Sequence, residues 1–136
     1  MAMMQGSFRA VALTVTLIAG LVYVAQSTAD PSGPIHWYIP KAVNKPPYAN
    51  GTAMVGDSVM YTWKGFFHGV VLSTSSNCTD KAAHMQVPGG MDATAGNATV
   101  TFKEPGTFYV LCPVGQHCSE GQIQRWDVTS PLSAEG

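Results

Sequence analysis

Between residues 35 and 129 the chain alternates short apolar runs with Gly, Pro and Asn, and no helical period can be followed. The runs are rich in β-branched and aromatic residues, which favour strands. Ile35 to Ile39 (IHWYI) reads as a first strand. Val55-Gly56-Asp57 leads into Ser58 to Trp63, where Val59 and Tyr61 alternate with polar neighbours. Gly69 to Thr74 (GVVLST) reads as another strand, and Ala98 to Lys103 (ATVTFK) keeps a period of two. Glu104-Pro105-Gly106 suits a tight turn, with Pro at the second position and Gly at the third. Thr107 to Cys112 (TFYVLC) is therefore expected to pair back as a hairpin, and Ile123 to Thr129 closes the series. Pro40 to Thr52 reads as a long loop. Ser75 to Gly96 reads as irregular, with one helical turn near Asp80 to His84. Short strands at this spacing, with no helices between them, predict an all-β fold, an antiparallel Greek-key sandwich.

The first 29 residues follow another pattern. Arg9 supplies a positive charge, Ala10 to Ala25 form an apolar run, and Ser27-Thr28-Ala29 offers small residues for cleavage. This is the pattern of a secretory signal peptide, and the run is short beside the ~20 apolar residues of a spanning helix. The expected organisation is a signal peptide at 1–29, one domain at 30–129 and a polar tail at 130–136. Removing Arg9 with the signal leaves six Lys/Arg against eight Asp/Glu. No basic stripe exists to bind nucleic acid, and no membrane span is expected in the mature chain, which should be a monomer. Asn50, Asn77 and Asn97 each open an Asn-x-Thr sequon, so a secreted chain could carry N-glycans there.

Three cysteines change the picture, because one disulfide leaves one of them over. A free thiol in an oxidising compartment needs burial, an intermolecular partner or a metal. Two pairings are open. Cys78 with Cys118 would tie the irregular stretch to the loop after TFYVLC and leave Cys112 free. Cys112 with Cys118 would close a small loop and orphan Cys78. The first is favoured because Cys112 has metal-ligand company. His117 follows it by five residues, and His68, before GVVLST, can meet the loop at one end of a sandwich. Two imidazoles, one thiolate and a weak fourth ligand make a blue-copper electron-transfer site. Gln122, five residues after His117, can supply that fourth ligand through its amide oxygen. His36 and His84 read as surface or structural histidines. Met85 and Met91 lack ligand spacing and read as gap fillers.

CPVGQHCSEGQ, residues 112 to 122, resembles the copper loop of phytocyanins, a secreted subfamily of the cupredoxins: Cys, four residues, His-Cys, three residues, then Gln or Met. Glutamine in the last place is the stellacyanin-like variant. Val55-Gly56-Asp57, His68-Gly69-Val70 and Tyr109-Val110-Leu111-Cys112 match in order. The resemblance implies a cupredoxin sandwich and a disulfide between Cys78 and Cys118. It also implies one type 1 copper held by His68, Cys112, His117 and Gln122, with the His117 edge as electron port. The sequence departs from the family at Gly69, where Asn or Asp is usual, and at Lys45-Pro-Pro-Tyr48.

The expected function is that of a secreted one-electron carrier, extracellular or in the cell wall, serving a redox partner protein or a small-molecule reductant or oxidant. An enzyme is not expected: no nucleophile–base pair is evident, and the paired His-x-His motifs of trinuclear copper centres are absent. A copper-free binding or structural module at the cell surface is the alternative. Zinc also takes thiolate and imidazole, but it gives Gln122 no role.

Overall fold

A computed structural model describes residues 33–131. The expected signal peptide and most of the expected polar tail lie outside the described residues. Among the described residues eight strands are present: β1 (Ile35–His36), β2 (Gly51–Met54), β3 (Ser58–His68), β4 (Val71–Ser73), β5 (His84–Gln86), β6 (Ala93–Thr101), β7 (Gly106–Leu111) and β8 (Ile123–Thr129). They form two sheets, one in the order β1-β3-β6 and one in the order β2-β8-β7-β4-β5. The all-β sandwich is thus observed. A 3-10 turn at Lys81–Ala83 falls where the helical turn was expected.

The alternation read from the sequence points into the space between the sheets. Val59, Tyr61 and Trp63 of β3 are buried, as are Ala98, Val100 and Phe102, and these side chains join Trp37, Val110 and Trp126 in the main core. A smaller cluster of Val71, Leu111 and Cys118 lies apart from it. There a disulfide links Cys78 to Cys118, with 5.8 Å between their Cα atoms and 40 residues between them in sequence. Closing a loop of that length is worth about 4 kcal/mol if the unfolded chain loses the corresponding entropy. The bridge anchors the irregular segment against β4 and β7, so adjacent residues such as Val110 and Leu111 are both buried.

Four expectations are corrected. The sandwich is mixed, since β1 runs parallel to β3 and β2 parallel to β8. Pro40 to Thr52 is not all loop: its end forms β2, where Gly51 leaves room for the Trp126 ring across the pair. Thr107 to Cys112 does not form a hairpin with Ala98 to Lys103. β6 pairs with β3 and β7 with β8 and β4, so the Pro105-Gly106 turn carries the chain from one sheet to the other. Finally, Met85 and Met91 fill no gap; both are exposed.

Candidate metal centre

His68, read from the sequence as lying just before the strand GVVLST, is the last residue of β3, directly beyond a bulge. Lys64 pairs with Ala95 and His68 with Ala93, so residues 65–67 stand opposite the single residue Thr94. Gly65 takes the left-handed φ of +93° there, a conformation that suits glycine. Up to Trp63 the buried positions of β3 are odd-numbered; beyond the bulge the buried residue is His68. Extra residues in one strand commonly re-aim a side chain in this way. Phe66 and Phe67 are displaced into solvent, though the Phe66 ring stays 6.3 Å from that of His68.

Cys112 follows directly on β7, and the loop after it folds back through a run of turns. His117 N–H donates to Val114 O and Gln122 N–H to His117 O, both at 3.0 Å, while Cys112 N–H donates to Gln122 O at 3.1 Å. The backbone thus ties Cys112, His117 and Gln122 into one compact unit. His117 Nδ1 lies 3.3 Å from His68 Nδ1 and 3.5 Å from Cys112 Sγ. One ligand atom from each of the three residues falls within 4.8 Å of the others, the only such group among the described residues. His68 and Cys112 are buried and His117 is half-buried. His36 and His84 stand outside the cluster.

Burial sets the protonation of this group. The His68 imidazole is held below its ordinary range, first by burial and then by the neighbouring His117. A neutral imidazole keeps a lone pair for a metal. Burial also pushes the Cys112 thiol up, while the backbone N–H groups of Gly69 and Val114 pull the other way and the charge of Asp92 adds to the rise. Gly69 N–H lies 3.4 Å from Cys112 Sγ, and Gly69 O accepts from the Trp37 indole N–H at 2.9 Å. Sequence reasoning missed these supports, because backbone donors leave no residue signature.

Gln122 is fully buried, and neither its Oε1 nor its Nε2 has a hydrogen-bond partner. Leaving such a group unsatisfied costs about 1–3 kcal/mol. The donor set itself is soft thiolate plus imidazole, the chemistry of copper sites. The buried amide, the two converging imidazoles and the free thiol therefore fit a copper ion.

Residues 37–122 match the plastocyanin-like domain family. No curated protein matches the chain in sequence. Among solved structures, the chain is similar to cucumber stellacyanin with Cu2+, at 20% identity and a TM-score of 0.45, covering 73% of this chain and 99% of that one. It is similar to spinach plantacyanin at 17% identity and a TM-score of 0.44, with coverages of 71% and 97%. For the cucumber basic protein, a blue copper protein, the values are 18% and 0.41, with coverages of 57% and 76%. The family match spans more than half of the chain and includes His68, Cys112, His117 and Gln122, so the chain belongs to the plastocyanin-like domain family, as the phytocyanin resemblance of its copper loop led us to expect.

Proposed function

We propose that the protein is a secreted type 1 copper protein that carries one electron at a time. The single observation that carries this reading is the meeting of His68, Cys112 and His117 within 4.8 Å at one end of the sandwich. Those three residues and Gln122 are the proposed ligands, Gln122 through its amide oxygen. Bound copper would supply the one-electron couple. The chain holds the ligands in place beforehand: β3 fixes His68 and the hydrogen-bonded loop fixes Cys112, His117 and Gln122. A fixed ligand set limits the rearrangement between oxidation states. His117, the more exposed of the two imidazoles, is the proposed electron port. An amide oxygen is a harder ligand than a thioether and favours copper(II), so the potential should sit below that of a methionine variant.

Partners on this reading are a redox protein or a small-molecule reductant or oxidant, met outside the cell or in the cell wall. Asn50, Asn77 and Asn97 are exposed, as glycan acceptors must be. No helix among the described residues is long and apolar enough to cross a membrane.

The deciding experiment is the absorption and EPR spectrum of the protein titrated with copper(II). An intense thiolate-to-copper band that disappears in Cys112→Ser is expected. A protein that stays colourless with one equivalent of copper would overturn the reading and favour a copper-free module. In a redox titration of the copper-loaded protein, Gln122→Met should raise the reduction potential; an unchanged or lower value would remove Gln122 from the ligand set.

A further inference from the structure

Beside Cys112 the chain makes an unusually close approach to itself. His68 pairs with Ala93, so the start of β6 lies at the metal end of the sandwich. Val70 N–H donates to Gly90 O at 2.9 Å, which fastens the segment after β3 to the segment before β6. Between these two anchors sit Gly69 and Asp92. A Cβ built on Gly69 would fall on the Asp92 carboxylate oxygen, and would lie 3.2 Å from Asp92 Cγ and 3.1 Å from Gly90 O. The carboxylate of one segment thus fills the space in which the other carries no side chain. The same Gly69 presents its N–H to Cys112 Sγ.

We propose that Asp92 is a positioning and charge-setting residue of the metal centre: its carboxylate, seated in the space left by Gly69, steadies the Gly69 N–H against Cys112 Sγ and sets a negative charge beside the thiolate. The inference rests on the copper reading above. No ion pair neutralises Asp92 among the described residues; the ion pair there is Arg125–Asp127 at 3.1 Å. A carboxylate at this place favours the more positive oxidation state of a metal held by Cys112. Its influence is moderated by solvent, because Asp92 is itself exposed.

The test uses the full chain loaded with copper and, separately, free of it. Asp92→Asn keeps the shape and removes the charge. It should raise the ratio of copper(I) to copper(II) affinity about two- to fivefold, the range for a partly screened charge, and the gain should shrink between low and molar salt. A group that only packed would move neither the potential nor its salt dependence. In the copper-free protein, Gly69→Ala should lower the urea midpoint, and lower it less in an Asp92→Ala background, because the two side chains compete for one space. Strictly additive effects of Gly69→Ala and Asp92→Ala would overturn the packing half of the proposal. A blue wild type whose potential is unmoved by Asp92→Asn overturns the charge half and leaves the copper reading standing. A wild type without the blue band overturns the copper reading, and this proposal with it.

Discussion

Gln122 and Gln124 stand two residues apart, alternate into the same interior, and are 0% and 3% exposed. Their surroundings are opposite. Gln124 Oε1 accepts from the Tyr61 hydroxyl at 2.7 Å, Gln124 Nε2 donates to Ala49 O at 2.8 Å, and the Tyr61 oxygen accepts from the Trp126 indole at 2.8 Å. Burial raises the Tyr61 hydroxyl far above its ordinary range, so it remains a donor. That chain of polar groups is closed by the protein itself. Gln122 has neither of its amide atoms partnered. The difference teaches what each buried glutamine is for. A closed buried network fixes one arrangement of the core. An open one keeps a cost in the fold that only a ligand can offset.

The largest expected effect on stability lies in the closed region. Gln124→Leu removes the acceptor of the buried Tyr61 hydroxyl and the donor to the Ala49 carbonyl. Chemical denaturation of the copper-free protein should show a loss of about 1–3 kcal/mol, with the copper spectrum of the variant intact. Gln122→Leu should act in the opposite sense. It replaces an unpartnered buried amide with an apolar side chain of similar size, and the copper-free protein should gain about 1–2 kcal/mol. If both leucine variants lose stability alike, the contrast between the two glutamines is wrong.

The smallest effect concerns pH. In the copper-free protein His68 is held below its ordinary range. The unfolded chain then takes up a proton near pH 6.5 that the folded chain refuses, and stability is lost as pH falls through that value. Urea midpoints measured at pH 8 and pH 5 should differ, and the difference should narrow in His68→Gln. The Gln124 network, which gains no proton in that window, should add nothing to the slope.

What the sequence disclosed follows the same division. The burial of Val59, Tyr61, Ala98, Val100 and Phe102 was legible because a period of two is written in consecutive residues. The grouping of Cys112, His117 and Gln122 was legible because they share one loop. Apart from the Cys78–Cys118 bridge and the meeting of His68 with that loop, the long-range features were not. The two glutamines look alike in sequence, since the groups that satisfy Gln124 come from Tyr61 and Ala49, 63 and 75 residues away. The Pro105-Gly106 turn signals a reversal but does not name the strand the chain will pair with next. The parallel pairs and the four-residue β2 carry no periodic pattern of their own. Gly69 drew notice as a departure from the family, yet nothing local pointed to Asp92 as its neighbour.

The bulge at residues 65–67 has a consequence for how this protein can diverge over time. His68 is buried directly beyond a bulge in which three residues stand opposite one. Apart from Gly65 with its positive φ, the segment is therefore constrained in length and free in composition. Insertions and deletions there should be purged from related genes, while Phe66 and Phe67, already exposed to solvent, can be exchanged at little cost to the centre they flank.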